Sequence, residues 1–293
     1  MNEQISIPVR PLPAGGIGAG SQPSASDGVE LTYLAMPSEM QTYRQPVLPE
    51  PDEVAGLAPG LALLNSLRHI LCGYRAGAMP LVIGLAGLDA DNRRLVIDSL
   101  GEGEVSVVCT GTREQRAQET RLAGIWRVRS TDGDGQVIRD VLEIADVPGF
   151  VRESAFAGSA IRADLAEAAP VGVMNAPGVL AELNEQVERR QRGEMGETYI
   201  LNLTLLPQSE QDLDYLAGRL GAGAVSILSR GYGNCRITAT GLADVWWVQF
   251  YNSDDRLILN TLEVTDVPAA ALAAQEDIDD SAIRLGEILE ALQ

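Results

Sequence analysis

The sequence predicts an α+β protein formed by tandem duplication of one unit, an antiparallel sheet flanked by helices, with a flexible N-terminal tail. The first observation is an internal repeat: residues 99–148 align without a gap on residues 219–268, and 19 of the 50 aligned positions are identical. A repeat of this length is a folding unit. The second observation is that both copies show the same succession of helix and strand patterns, which is typical of α+β layers.

Four regions are expected along the chain. Residues 1–30 are rich in proline and glycine and contain few large apolar side chains. They cannot bury enough surface to offset the entropy of ordering, which predicts a flexible tail. Residues 31–54 are predicted to be an extended, proline-rich segment. Residues 55–170 and 176–293 are predicted to be two α+β repeats, forming two domains of the same fold joined near residues 168–178.

The elements of each repeat follow from apolar spacing and from terminating residues. In the first repeat we predict helices over 57–71, 89–100 and 151–168, a buried strand over 81–85, and strands over 105–109, 122–129 and 137–145. In the second repeat we predict helices over 179–191, 212–220 and 269–292, and strands over 199–206, 225–228, 235–240, 245–251 and 257–264. The tripeptides Asp146-Val147-Pro148 and Asp266-Val267-Pro268 mark the change from last strand to last helix, where Asp is a good cap.

Composition excludes several classes of function. The formal net charge is −19 and every one of the 22 basic residues is an arginine, which argues against nucleic-acid binding. Two interpretations of the negative net charge stay open: it keeps the protein soluble, or it attracts a basic segment of a partner. No apolar run is long enough to span a membrane, and no export signal begins the chain. Three cysteines and one histidine indicate a reduced, cytoplasmic protein.

No catalytic constellation is found in the sequence. A single histidine excludes histidine-based triads and multi-histidine metal sites, and the absence of lysine excludes a Schiff base. The glycine-rich run at 15–20 precedes any strand, so a phosphate loop is not expected. His69 and Cys72 could share a helix face, but two ligands are too few for a metal, and a packed pair is favoured. We therefore predict no enzyme activity, cofactor or metal.

Unusual residues collect in the second repeat. Trp247, Gln249 and Tyr251 alternate along one strand and should share a face, which is either a binding surface or packed under the closing helix or against the first repeat. Cys235 follows a glycine-rich turn, for which a structural role is favoured over a reactive thiol. The predicted partner-binding residues are Tyr232, Asn234, Cys235, Trp247, Gln249 and Tyr251. The first repeat has Thr112, Glu114, Gln115, Arg127, Arg129 and Thr131 at these places.

Several longer runs resemble a known family. They are Tyr232-Gly233-Asn234-Cys235-Arg236-Ile237, Val245-Trp246-Trp247-Val248-Gln249-Phe250-Tyr251-Asn252-Ser253, Leu257-Ile258-Leu259-Asn260-Thr261-Leu262-Glu263-Val264, Glu276-Asp277-Ile278-Asp279-Asp280-Ser281 and Met36-Pro37-Ser38-Glu39-Met40-Gln41-Thr42-Tyr43. Together they resemble the HupH/HyaF hydrogenase expression proteins. The resemblance covers about residues 33–290 and is densest in the second repeat, whereas the first repeat keeps only the framework.

The resemblance implies a non-catalytic accessory of [NiFe]-hydrogenase biogenesis. Its expected partners are the precursor of the iron–sulfur small subunit, which is exported by the twin-arginine route, and a thioredoxin-like accessory protein from the same operons. The alternative implied by the resemblance is a scaffold or redox-active factor for iron–sulfur cluster assembly that uses Cys235. Three separated cysteines cannot easily supply the four thiolates of a cluster within one chain.

Overall fold

The strands of both repeats belong to one antiparallel sheet. The computed structural model describes residues 54, 56–111, 113–165, 169–194, 196–230 and 234–292, all within one compact unit, Pro37–Gln293. The elements of the first repeat are α1 (Ala58–Gly73), β1 (Leu81–Gly84), α2 (Ala90–Leu100), β2 (Val105–Thr110), β3 (Glu114–Glu119), β4 (Ile125–Thr131), β5 (Val137–Ile144) and α3 (Gly149–Ser154). Those of the second repeat are α4 (Ala176–Gln191), β6 (Tyr199–Asn202), α5 (Glu210–Leu220), β7 (Ala222–Ser229), β8 (Asn234–Thr240), β9 (Val245–Tyr251), β10 (Leu257–Val264), a 3-10 helix (Ala269–Ala271) and α6 (Gln275–Ala291).

The ten strands are arranged in the order β1-β5-β4-β3-β2-β7-β8-β9-β10-β6. Read from the centre outward, the two halves have the same order: second, third, fourth, fifth and then first strand of the repeat. The predicted α+β fold with an antiparallel sheet flanked by helices is confirmed, and the equal strand orders agree with a duplication. The predicted tail and the proline-rich segment before Val54 lie outside the described residues.

The repeats meet along β2 and β7, which pair antiparallel at the centre of the sheet. Val107 lies opposite Ile227, and these two residues are equivalent by the 120-residue shift. The register on both sides of this pair is symmetric, so a pseudo-twofold axis passes through it. Each repeat therefore contributes half of one sheet, where the sequence led us to expect a sheet for each repeat.

Each repeat also packs its last segment onto the other repeat. Helix α6 lies against α1, and its residues Ile278, Leu285 and Leu289 are buried in a cluster with Leu64 and Leu67 of α1. In the opposite direction, the chain after α3 reaches the second repeat, where Ala160 N donates to Gly241 O and Ala243 N donates to Ala160 O. The core of each half is thus completed by the other half.

Apolar side chains divide the core into three clusters. Alternation along the strands places Ile125 and Leu142 on one face of the sheet under α1, α2 and α6, and Val245 and Leu262 on the same face under α4 and α5. The opposite face is covered by α3 and the 3-10 helix. On that face the buried indoles Trp126 and Trp246 donate from Nε1 to Ala145 O at 2.9 Å and to Asp266 O at 3.0 Å.

Helices α2 and α5 begin and end with local signals that the sequence carries. The Asp89 side chain accepts a hydrogen bond from Asn92 N at the start of α2, and Ser209 and Asp212 form a capping box at the start of α5. Gly101 and Gly221 end these helices at φ values of 61° and 63°, which favour glycine. Of the described helices, none is both long enough and apolar enough to span a membrane.

Several predicted elements differ from the structure. The helix expected over 269–292 is divided into a 3-10 helix, Ala269–Ala271, and α6, which begins at Gln275. The helix expected over 151–168 ends at Ser154, because Gly158 turns the chain at φ +80° and Ala160 bonds to the second repeat. The strand expected to be buried, β1, lies at the edge of the sheet with Leu81 and Val82 roughly half-exposed. The strand expected over 199–206 is limited to β6. Strand β3 was not predicted, since its sequence Glu-Gln-Arg-Ala-Gln-Glu lacks apolar alternation.

Candidate functional site

The predicted binding residues of β9 lie on one face of the sheet. Trp247, Gln249 and Tyr251 alternate with Trp246 and Val248, which belong to the core of the other face. The neighbouring strands extend this face: Asn234 lies opposite Tyr251, and Gln249 lies between Arg236 and Asn260. We call this surface the polar-aromatic face; its members are Asn234, Arg236, Trp247, Gln249, Tyr251 and Asn260.

Trp247 is half-buried and fixed in orientation. Its Nε1 donates to Asn260 Oδ1 at 2.5 Å, and its ring packs against the cluster beneath α4 and α5. The ring packs beneath α4 and α5 rather than under the closing helix, which was one of the two alternatives left open by the sequence. The other alternative, a binding surface on this face, stays a prediction. An indole held in one rotamer loses little entropy when a partner covers it.

Arg236 and Tyr251 form the second pair on this face. The guanidinium carbon of Arg236 lies 5.8 Å from the centre of the Tyr251 ring, within the range of a cation–π contact. Burial raises the pKa of the Tyr251 hydroxyl, and the charge of Arg236 opposes that rise. Arg236 Nε is buried without a hydrogen-bond partner among the described residues. Such a donor is available to a ligand that reaches it.

Gln249 and Asn234 complete the centre and the end of this face. Gln249 is only 9% exposed, and its amide makes no hydrogen bond to another described side chain. Asn234 donates from Nδ2 to Asp255 Oδ1 at 2.9 Å, which ties β8 to the β9–β10 hairpin. Tyr232, the remaining aromatic residue predicted for the site, lies outside the described residues.

Cys235 does not lie on the polar-aromatic face. It precedes Arg236 in β8, so its side chain points to the opposite face, where it is 6% exposed within the core. Burial, with a contribution from the charge of Glu263, raises the pKa of the Cys235 thiol to about 12. A thiol with so high a pKa is a poor nucleophile and a poor metal ligand. The structure brings together the other described candidates and separates this one from them.

Sequence reasoning missed Arg236 and Asn260. A signal was present in the repeat: Arg236 aligns with Arg116, and Asn260 aligns with Asp140. In the first repeat Arg127 donates to Asp140 through Nε at 2.9 Å and Nη2 at 2.6 Å. The Trp247–Asn260 pair occupies the places of this ion pair. A cross-strand pair expected between Arg127 and Asp140 would have indicated that Trp247 pairs with Asn260 in the second repeat.

No group of three metal-binding side chains is found among the described residues. Cys109 and Cys235 are buried and Cys72 is exposed. The sequence favoured a packed His69 and Cys72, and this is wrong: both are exposed. The buried stripe of α1 is formed by Leu64, Leu67 and Leu71, which leaves positions 69 and 72 on its outer side.

The fold is that of a duplicated α+β protein, in which two copies of one unit share a single antiparallel sheet. Comparison with known families gives two matches to the HupH hydrogenase expression protein, C-terminal conserved region, at residues 57–169 and 173–292. The chain therefore belongs to the HupH/HyaF family of hydrogenase expression proteins.

Relatives match over nearly their whole length. The hydrogenase expression/formation protein HupQ of Azotobacter chroococcum is 47% identical over 95% of this chain and 96% of its own. HoxQ of Azotobacter vinelandii, with the same description, is 48% identical over 88% of this chain and 91% of its own. The hydrogenase-1 operon protein HyaF of Escherichia coli is 32% identical over 94% and 95%. A solved structure, the hydrogenase expression protein HupH of Thiobacillus denitrificans, is 28% identical with a TM-score of 0.35, covering 40% of this chain and 93% of its own.

Proposed function

We propose that this protein assists the maturation of a membrane-bound [NiFe]-hydrogenase in the cytoplasm. In this proposal it is a non-catalytic chaperone that binds the precursor of the iron–sulfur small subunit before assembly with the large subunit and twin-arginine export. The observation that carries the maturation role is the match, over nearly their whole length, to relatives named as hydrogenase expression/formation proteins. The choice of client follows from the family resemblance.

The polar-aromatic face is the proposed client site. Trp247 and Tyr251 offer aromatic area, Arg236 Nε offers an unsatisfied donor, and Gln249 offers an amide with no hydrogen bond to a described side chain. Fixed aromatic side chains surrounded by polar groups are typical of the residues that dominate protein interfaces. The net charge of −19 favours approach of basic segments of the client. Tyr232 and Asn234 are proposed to extend the same surface, and the thioredoxin-like accessory protein is proposed as a second partner.

The alternative role, cluster assembly through Cys235, has weaker support. The side chain is buried on the opposite face of the sheet, and burial raises the pKa of its thiol to about 12. Without a large rearrangement this thiol can neither attack a disulfide nor ligate iron. We therefore place Cys235 in the core and the client on the other face.

The test is titration of the small-subunit precursor against purified protein. The variant is Trp247→Arg combined with Asn260→Asp, which installs the ion pair of the first repeat and so leaves no buried amide unpaired. Loss of one aromatic anchor is expected to weaken binding by roughly thirtyfold, or about 2 kcal/mol. The matched control is Arg127→Trp with Asp140→Asn, which makes the reverse exchange in the first repeat and should bind as the wild type does.

Folding of both variants is checked by circular dichroism and thermal unfolding. Equal affinity of the wild type and the Trp247 variant, both folded, would move the site away from this face. Failure of the wild type to bind the precursor would remove the small subunit as client while leaving the family assignment intact.

A further inference from the structure

A cleft lies in the first repeat, on the sheet face opposite to the polar-aromatic face. It has a volume of about 630 Å³, which is in the range of small-ligand sites. Its polar lining consists of Cys109, Arg113, Gln115, Ser130, Arg139 and Ser154. We call it the Arg139 cleft. Ile138, which lies outside the core and is about half-exposed, adds an apolar wall.

The floor of the Arg139 cleft is a row of side chains across four strands. Cys109 on β2 lies opposite Gln115 on β3, which lies opposite Ser130 on β4, which in turn lies opposite Arg139 on β5. Neighbouring strands are about 4.8 Å apart, so adjacent members of this row are within reach of one ligand group. The backbone thus sets their spacing without any loop.

Most polar side chains of this cleft have no hydrogen-bond partner among the described residues. Ser130 lies deep in the cleft, with 5% of the residue exposed. Among the described residues, no hydrogen bond is made by the side chains of Ser130 or Gln115, and no ion pair by Arg113 or Arg139. The charge of Arg139 acts on Glu143, but that carboxylate already accepts a hydrogen bond from Gly149 N at 2.5 Å. Donors left free in a concave site are typical of a binding site.

The fold does not require this polarity. The 120-residue shift places the equivalent row of the second repeat at Ser229, Cys235, Phe250 and Leu259, with the same strand register. There Cys235 is buried and Phe250 packs against the core. The ring of Phe250 fills this position in the second repeat, whereas the first repeat has only the small hydroxymethyl group of Ser130 there. The cleft and its donors are therefore particular to the first repeat.

We propose that the Arg139 cleft binds a carboxylate group. Arg113 and Arg139 supply guanidinium donors at its mouth, and Ser130 and Gln115 supply neutral donors on its floor. A guanidinium matches a carboxylate in a planar, two-bond arrangement, and amide and hydroxyl donors satisfy the remaining lone pairs. Because the whole chain carries a charge of −19, its long-range field repels anions, so capture of an anion requires a local arginine pair of this kind.

The carboxylate could belong to a small acid or to an acidic peptide segment. Isothermal titration calorimetry of the full chain, at about 20 mM salt, uses two probes: glutarate, and the peptide acetyl-Gly-Glu-Glu-Gly-amide with its Gln-Gln analogue as control. Saturable binding of glutarate supports the proposal with a free acid as ligand. Binding of the Glu peptide alone supports it with a peptide as ligand. Tighter binding of inorganic phosphate than of both probes, or no saturable binding of either, would overturn it.

Two variants replace cleft residues by their equivalents in the second repeat. Arg139→Leu removes one mouth donor, and Ser130→Phe fills the cleft; each is expected to weaken binding at least tenfold. The matched control is Arg129→Gln, also a second-repeat equivalent. Arg129 is adjacent to Ser130 on β4 but lies on the opposite face, and this change alters the net charge by the same amount as Arg139→Leu. The control should bind within twofold of the wild type.

If Ser130→Phe does not fold, as judged by circular dichroism, the test rests on Arg139→Leu, because Arg139 is exposed and its replacement should not disturb the core. Equal losses in Arg139→Leu and Arg129→Gln would mean that only the overall charge is felt, and the cleft would not be the site.

Discussion

The two repeats place different chemistry at the same pair of positions. In the first repeat Arg127 and Asp140 form a two-bond ion pair between β4 and β5. In the second, Trp247 donates to Asn260 between β9 and β10. Both are diagonal cross-strand pairs. The comparison shows that the backbone of both repeats places a donor and an acceptor at the same relative positions. The residue types at these positions then determine whether the surface is charged or aromatic.

The last segments of the repeats differ still more than their strands. Ser281-Ala282-Ile283-Arg284 is helical in α6 and packs on α1, whereas the similar run Ser159-Ala160-Ile161-Arg162 is not helical and pairs with the second repeat. Similar residues therefore adopt different conformations because their partners differ. Both segments nevertheless cross to the other repeat, so the exchange is common to both halves even though the local structure is not.

The largest effect is expected from separating the repeats. Residues 54–168 expressed alone lack α6, so Leu64 and Leu67 of α1 lose the cover of Leu285 and Leu289. We expect this fragment not to fold, because several fully buried leucines would be exposed at about 2 kcal/mol each. Mixing it with residues 169–293 should restore the fold. Circular dichroism with urea unfolding is the measurement. Cooperative unfolding of the first fragment alone would show that the exchange of segments is dispensable.

A second test compares the two aspartates of the repeated Asp-Val-Pro tripeptides. Arg152 contacts both: it donates to Asp146 through Nη1 and Nη2 at 3.1 Å each, and to Asp266 through Nε at 3.1 Å. The Asp146 side chain is 4% exposed and that of Asp266 is 59% exposed. The sequence explained both residues as caps; the structure makes them unequal partners of one arginine.

We expect Asp146→Asn to lower the free energy of unfolding by about 3 kcal/mol, since a buried ion pair is broken. Asp266→Asn should cost about 0.5 kcal/mol or less, because exposed pairs contribute little. Urea unfolding of the two variants under one buffer condition measures the difference. Losses of similar size would show that the arginine stabilises both repeats alike.

A third test concerns the Trp247–Asn260 pair. Trp247→Arg alone leaves the Asn260 amide, which is 4% exposed, without its indole donor, and should cost about 2 kcal/mol. Adding Asn260→Asp should recover at least half of this loss by recreating the ion pair of the first repeat. A double-mutant cycle by urea unfolding gives the coupling. Additive losses in the double variant would show that the two positions are not an exchangeable pair.

Much of the second repeat could be predicted from sequence. Strands β8, β9 and β10 are rich in β-branched, aromatic and other apolar residues, and their observed bounds differ from the predicted ones by at most one residue. Helix α2 was bounded at both ends by Asp89 and Gly101. These signals are local, so a single sequence carries them.

What could not be predicted depends on pairing between distant residues. The position of Asn234 beside Tyr251, and of Cys235 on the other face, follows from the register of β8 and β9, which no single strand encodes. Strand β3 is rich in charged and polar residues, yet it pairs on both sides because β2 and β4 require a neighbour. The boundaries predicted for the two repeats stay a prediction, although the sheet that joins them is evident.

A last test concerns Glu119, whose equivalent in the second repeat is Ala239. Burial raises the pKa of the Glu119 carboxyl to about 7; the Gly124 amide lowers it, and the charges of Asp277 and Glu104 raise it. Between the unfolded value near 4.5 and about 7, the folded state binds more protons than the unfolded state. Stability due to this group is therefore present at low pH and is lost as the pH rises through that window.

Glu119→Gln should remove this part of the pH dependence and stabilise the protein at pH 8 relative to the wild type. Because the side chain is only half-buried, we expect solvent to limit the gain to about 1 kcal/mol. Urea unfolding at pH 5 and pH 8 measures it, with Glu290→Gln, an exposed carboxyl on α6, as the matched control. The control should follow the wild-type profile. If Glu119→Gln followed it as well, the carboxyl would be solvated in the folded state, and burial would not be what raises its pKa.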